Sequence, residues 1–185
     1  MKKMILATLL TLAAVPAISA QDYAPMTKGN AWTYTDGYRA WRMEVEESNG
    51  KEAVVVLYLG EEIFSRTWYR IDPDGLKEVG FENQQGRIRH AAPLVTLKYP
   101  VEKGASWKQV YTLGGQRYES TTTIGEEVGI QLPAGTFRVL AVTVVARFYG
   151  GVMTTTSWFS KEIGLVGART VSSVSGVQSD WSLQL

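Results

Sequence analysis

The 185-residue chain has no cysteine and one histidine, His90, beside the turn-like Ala91-Ala92-Pro93. The first absence excludes disulfides, thiol chemistry and a cysteine-borne lipid anchor, so the fold must stand on packing alone. The second leaves the usual structural zinc sets without ligands. It also makes His90 the one imidazole a Ser-His-Asp hydrolase could use as base, and no Gly-x-Ser-x-Gly stretch presents a nucleophile. Charge of one sign is missing too, because the formal balance is only +1. A near-neutral chain gives no electrostatic argument for nucleic acid or an anionic membrane surface. Phosphate-loop and dinucleotide signatures are absent, and Gly164-x-x-Gly167 is too short to supply one. These gaps predict a protein that is not an enzyme, with no cofactor and no metal.

Long hydrophobic runs are also lacking, with one short exception at the start. Lys2 and Lys3 precede an apolar stretch from Met4 to Val15, Pro16 breaks it, and Ala17-Ile18-Ser19-Ala20 offers small residues. Charge, apolar core and small-residue exit in that order read as a secretory signal peptide. The stretch is well short of the roughly 20 residues a spanning helix needs. Residues 1–20 are therefore expected to be the signal and 21–185 a single exported domain, periplasmic or extracellular and not a lipoprotein. Without the signal, 17 basic residues face 18 acidic ones. The mature length can bury a substantial core.

What is present after the signal is turn chemistry and β-formers. Asp36-Gly37 and Asn49-Gly50 are tight hairpin dipeptides, since glycine accepts positive φ. Asp72-Pro73-Asp74-Gly75, Asn83 to Gly86, Gly114-Gly115 and Gly150-Gly151 continue the series. Between them lie Val, Thr, Trp, Tyr and Phe, which fit a pleated surface. Trp41, Met43 and Val45 alternate with Arg42, Glu44 and Glu46; near the end Val171, Val177, Trp181, Leu183 and Leu185 share one parity. Such alternation predicts one buried and one wet face. Ala53 to Leu59 and Phe137 to Val145 are apolar on both parities, apart from Arg138 and Thr143, which predicts cover on both faces. The fold class expected is all-β: a single antiparallel curved sheet, an open half-barrel or barrel-like cradle of about ten to twelve strands.

One internal echo stands out. Pro25-Met26-Thr27-Lys28-Gly29-Asn30-Ala31-Trp32 matches Pro100-Val101-Glu102-Lys103-Gly104-Ala105-Ser106-Trp107 in the pattern Pro, aliphatic, x, Lys, Gly, x, x, Trp. Proline stiffens the approach, glycine makes the corner and tryptophan drops into the core. The pattern predicts two similar openings into the sheet, one per half.

Three stretches resemble the TapB-like proteins, exported bacterial β-domains of largely unknown function: Tyr23 to Tyr34, Leu132-Pro133-Ala134-Gly135-Thr136-Phe137, and Trp158-Phe159-Ser160-Lys161-Glu162-Ile163-Gly164-Leu165-Val166. The resemblance implies an antiparallel sheet curved into an open barrel, similar in outline to periplasmic carriers that shield lipid-like cargo. It implies no catalytic residue. Many family members carry a lipid anchor, which this chain has no cysteine to bear.

Neighbouring carboxylates occur at Glu46-Glu47, Glu61-Glu62, Asp72 with Asp74, and Glu126-Glu127. Adjacent strand residues point to opposite faces, so the Glu-Glu pairs form no dyad by themselves. Asp72-x-Asp74-Gly75 lacks the later ligands of a calcium loop and reads as a β-turn. The aromatics are more informative. Trp32, Trp41, Trp68, Trp107, Trp158 and Trp181 fall in six segments. They read as core, or in part as the lining of an apolar groove on the concave side of the sheet. Trp68, Tyr69, Trp158 and Phe159 are the candidate ligand contacts, because each adjacent pair sets one aromatic on each face. The expected function is a non-enzymatic exported envelope protein that binds or carries an apolar small molecule or lipid. The alternatives are an envelope assembly domain with a protein partner, or a small outer-membrane β-barrel. Mass spectrometry of the exported chain should find a mature N-terminus at Ala20 or Gln21; a chain retaining Met4 to Val15 would contradict a cleaved signal.

Overall fold

The computed structural model describes residues 22–185; the expected signal lies outside the described residues. The described residues form twelve strands: β1 (Ala31–Thr35), β2 (Ala40–Ser48), β3 (Glu52–Leu59), β4 (Glu62–Asp72), β5 (Gly75–Asn83), β6 (Gly86–Lys98), β7 (Ser106–Leu113), β8 (Gln116–Leu132), β9 (Gly135–Phe148), β10 (Gly151–Ser160), β11 (Gly164–Val174) and β12 (Val177–Gln184). They make one antiparallel sheet in the order β6-β5-β4-β3-β2-β1-β12-β11-β10-β9-β8-β7, nearly closed into a barrel. Each half of the chain is thus a six-stranded meander, and the first and last strands meet in the middle.

The turns behave as their residues require. Asn49 Oδ1 accepts the N–H groups of Lys51 (2.9 Å) and Glu52 (2.7 Å), which fixes the β2–β3 turn. Asp36 Oδ1 accepts from Tyr38 and Arg39 N–H, and its Oδ2 from Trp41 Nε1 at 3.0 Å. Those donors, the Trp41 indole first, hold the Asp36 carboxyl well below the usual carboxylate range.

The repeated Pro-to-Trp device builds the same corner twice. Gly29 and Gly104 sit at φ 89° and 80°, where a side chain would be strained. Gly29 N–H donates to Val45 O (2.9 Å) and Val45 N–H to Asn30 O (2.9 Å); Gly104 N–H donates to Ile124 O (2.8 Å) and Ile124 N–H to Ala105 O (2.9 Å). Val45 and Ile124 are both fully buried. The likeness extends further than the echo in the sequence. A bulge follows Val45 in β2 and another follows Ile124 in β8. A bulge also separates Trp68 from Tyr69, with Trp68 opposite Gly80, and another separates Trp158 from Phe159, with Trp158 opposite Gly167.

The register sorts side chains cleanly. Trp107, Thr122, Val144, Thr155, Thr170 and Trp181 form one cross-strand row on the inner face. Ile124, Val142, Ser157, Ala168 and Leu183 form the next. One end of the barrel is plugged: Tyr23 and Ala24 pack with Leu76, Leu97, Tyr99 and Phe159. Each fully buried aliphatic there contributes about 1.5–3 kcal/mol. Two expectations need correction. Val171 does not share a face with Trp181: the two-residue turn Ser175-Gly176 sets Val171 opposite Asp180 and Thr170 opposite Trp181. Ala91-Ala92-Pro93, beside His90, is not a turn but part of β6, where the ladder jumps from Gly80↔Arg89 to Glu78↔Leu94. Of the two strands apolar on both parities, β3 buries Val56 fully on its outer side and β9 buries Val139 fully.

Both seams are closed by side chains. At one, β1 and β12 share only the register pair Thr35↔Gln184, while Tyr34 Oη donates to Leu165 O and Trp32 Nε1 to Ile163 O, each at 2.7 Å. At the other, β6 and β7 are the sheet edges, and the Gln109 carboxamide stands in for a peptide unit: Val95 N–H donates to its Oε1 (2.6 Å) and its Nε2 donates to Val95 O (3.1 Å). Trp107 Nε1 donates to the same carbonyl at 3.2 Å. Gln109→Ala should leave Val95 N–H unpaired and cost about 1–3 kcal/mol, read from urea unfolding at neutral pH. Gln109→Glu should restore only part of the loss, because a carboxylate can accept from Val95 N–H but cannot donate to Val95 O.

Candidate functional site

The inner face has three zones. At the plugged end lies a cavity of about 170 Å³ lined by Met26, Trp32, Met43, Tyr69, Phe159 and Leu165, among others. Its base is made by the N-terminal segment, and Gly164 lets that segment approach: a Cβ there would meet Pro25 Cδ at 2.9 Å, and its φ is 89°. Above it runs a belt of hydroxyls. Thr155 and Thr170 Oγ1 lie 3.0 Å apart, and Ser172 and Ser179 Oγ 2.7 Å. Toward the open end the face becomes apolar and aromatic again. Tyr111 stacks on Tyr118 (5.3 Å, interplanar 2°), and Tyr118 meets Phe148 at 5.1 Å. Across from them Val174, Val177 and Trp181 are 41%, 71% and 42% exposed, uncovered at the mouth.

The four candidate contacts divide by face. Tyr69 and Phe159 come from the matching positions of the two halves and line the same cavity. Burial raises the Tyr69 phenol above its ordinary value, and the Glu78 carboxylate adds to the shift. Trp68 and Trp158 project from the outer face. Trp158 is packed with Leu132, Val139 and Val166. Trp68 lies beside an outer cavity of about 510 Å³, with the Arg87 guanidinium 4.1 Å above its ring. The structure therefore brings Tyr69 and Phe159 together and sets the two tryptophans apart from them.

Inside, His90 donates or accepts at Nε2 with Glu78 Oε1, 2.8 Å away; its side chain is 2% exposed and its Nδ1 has no partner. This pair sits one strand step from Tyr69, opposite Glu78 in the ladder. Asp72 and Asp74, the calcium-like pair, both close on Lys77 Nζ, at 3.0 Å and 2.8 Å. Among the described residues no three His, Asp or Glu side chains gather as a metal site.

The outer face carries Arg66, Arg70, Lys77, Arg87, Arg89, Lys108, Arg147 and Arg169 along the strands. An apolar interior under a charged exterior is the reverse of a membrane-spanning barrel, in which an arginine or lysine facing lipid at mid-depth costs about 2–4 kcal/mol. No helix among the described residues is long and apolar enough to cross a membrane.

The stack of Tyr111, Tyr118 and Phe148 was not among the candidates. Its signal was present: Tyr111 and Tyr118 flank Gly114-Gly115 symmetrically, so a tight hairpin makes them cross-strand neighbours. The Glu78–His90 contact had no such signal, since it depends on the jump in the β5–β6 ladder.

The chain matches no protein-family model, and the curated proteins give no match. A solved structure from Parabacteroides distasonis ATCC 8503, provisionally described as a lipoprotein, aligns with 89% of this chain and 96% of its own at 13% identity and a TM-score of 0.44.

The division by face predicts unequal costs of truncation. Phe159→Ala removes a buried ring and should cost about 3–5 kcal/mol. Trp68→Ala trims a half-buried ring on the outer face and should cost less than about 2 kcal/mol. Chemical denaturation of both variants checks the order; equal costs would contradict the assignment of faces.

Proposed function

We propose that this chain is a non-enzymatic exported envelope protein that holds an apolar or lipid-like ligand on the inner face of its sheet. The observation that carries the reading is the inner face itself: an apolar pocket at a plugged end, aromatic and aliphatic side chains at an open end, and charges on the outside. Ligand sites are characteristically concave and apolar with a few placed polar groups, and the hydroxyl belt supplies such groups partway up. A chain with an acyl segment would lie along Val144, Met153 and Phe159 and turn its polar end toward the mouth. The export signal read from residues 1–20 and the resemblance of three stretches to the TapB-like proteins belong to the same proposal.

The experiment is native mass spectrometry of the chain purified without detergent, followed by uptake of a fluorescent fatty acid or phospholipid. A co-purifying adduct, or saturable uptake, is the expected result. Thr155→Trp, on the inner cross-strand row, should obstruct the barrel and lower uptake at least tenfold while the circular dichroism spectrum stays all-β. A consistently empty protein with no uptake overturns the reading.

A further inference from the structure

A second site follows from comparing the two halves of the fold. Trp68 and Trp158 hold matching positions, each on the outer face, opposite a glycine and followed by a bulge. Around Trp158 the fold closes this position. The β8–β9 hairpin runs six rungs beyond its bulge, from Glu127↔Leu140 to Leu132↔Gly135, and Leu132, Val139, Val166 and Leu185 cover the ring. The β2–β3 hairpin runs only two rungs beyond its bulge, Glu47↔Val54 and Ser48↔Ala53. Where the longer arm would lie, the cavity of about 510 Å³ is open over Trp68. The opening is therefore a property of this half and not a demand of the architecture.

The walls of this cavity differ in charge. On the β6 side stand Arg87 and Arg89, successive outward positions about 7 Å apart along the strand. Arg87 faces Glu82 across the ladder, yet its guanidinium lies over the Trp68 ring at 4.1 Å. Stacking of this kind holds the planar fork with its N–H edges free to meet an anion. Neither guanidinium closes on a carboxylate among the described residues. Arg70, opposite Glu52 in the β3–β4 ladder, is committed to Asp72 at 2.8 Å. On the opposite wall the short hairpin presents Glu52, three strand steps or about 14 Å from β6, and Glu47, four steps or about 19 Å from it; both also lack an ion-pair partner. Long side chains reaching inward from both walls leave room for a small dipolar molecule above the tryptophan.

We propose that this cavity binds a phosphorylated head group bearing a primary amine, with the phosphate on Arg87 and Arg89 and the ammonium between Glu47 and Glu52. Two adjacent guanidiniums match the charge and fork geometry of a phosphate, and the acidic wall sets the orientation. The site lies on the outer face and does not depend on what the inner face holds.

Isothermal titration of the purified chain with O-phosphoethanolamine and, separately, inorganic phosphate tests it. The zwitterion should bind at least tenfold more tightly than phosphate. Arg87→Gln with Arg89→Gln should weaken it at least tenfold, and Glu47→Gln with Glu52→Gln should remove the preference over phosphate. All four positions are exposed or at the rim, and an unchanged melting temperature confirms folding. Co-sedimentation with phosphatidylethanolamine vesicles that requires Arg87 and Arg89 would support the site and identify a lipid source; binding of the soluble compound alone would support it with a soluble source. Absence of binding in both arms, equal affinity for phosphate, or binding indifferent to Arg87 and Arg89 overturns the proposal.

Discussion

An antiparallel meander of twelve strands has two edges, and each exposes a row of backbone donors and acceptors. Here those edges, β6 and β7, curl toward one another, and two side chains of β7, Gln109 and Trp107, span them. The Gln109 carboxamide accepts from Val95 N–H and donates to Val95 O, as a peptide unit of a neighbouring strand would. An ordinary ladder at this point would need both strands in register, but β6 carries the His90 to Pro93 excursion and Pro93 has no N–H to give. A side-chain amide tolerates the mismatch because its reach is adjustable. The enclosed inner face, with its plugged base and open mouth, depends on that bridge and on the tyrosine and tryptophan bonds of the opposite seam.

The two seams also show how the halves are related. Each half begins with the same glycine corner, buries an aliphatic residue beneath it, bulges immediately afterwards, and bulges again between a tryptophan and a second aromatic residue. A six-stranded meander built this way leaves both of its edge strands unsatisfied. Joining two copies edge to edge satisfies them, with β1 beside β12 and β6 beside β7. The joints are the least regular part of the sheet: each sets the opening strand of one half beside the closing strand of the other, and β1 and β12 share a single register pair.

Much of this was legible in the residues. The class, the strand number and the corner at Gly29 and Gly104 follow from turn dipeptides, β-branched segments and one eight-residue echo. The split of Trp68 from Tyr69, and of Trp158 from Phe159, follows from period 2. What could not be read was anything that depends on register across a bulge or a turn. Val171 was grouped with Trp181 by parity, but the β11–β12 turn places it opposite Asp180. The second pair of bulges has no sequence mark beyond the glycines at 80 and 167. Gly80 is where it is because a Cβ would lie 2.4 Å from Ile88 O, a constraint set by a strand eight residues away. Closure by Gln109 was invisible for the same reason: a glutamine on a strand looks like a surface residue until its neighbour proves to be an edge.

Where a repeated scaffold differs between its copies, the difference is free of the demands of folding, because the other copy shows that the alternative also folds. Tyr69 and Phe159 meet this test inside the barrel. Phe159 fills its place as a plain ring, whereas Tyr69 brings a hydroxyl, with Glu78 and His90 behind it. Leu165 occupies the place of Glu78 in the second half, opposite Phe159 as Glu78 is opposite Tyr69. Burying an imidazole beside a half-buried carboxylate is costly unless the pair is hydrogen-bonded, and the second half shows that an apolar pair serves packing equally well. The polar version is thus a departure behind one wall of a largely apolar chamber, and it would give a ligand of the proposed kind hydrocarbon on the Phe159 side and a phenol hydroxyl on the Tyr69 side.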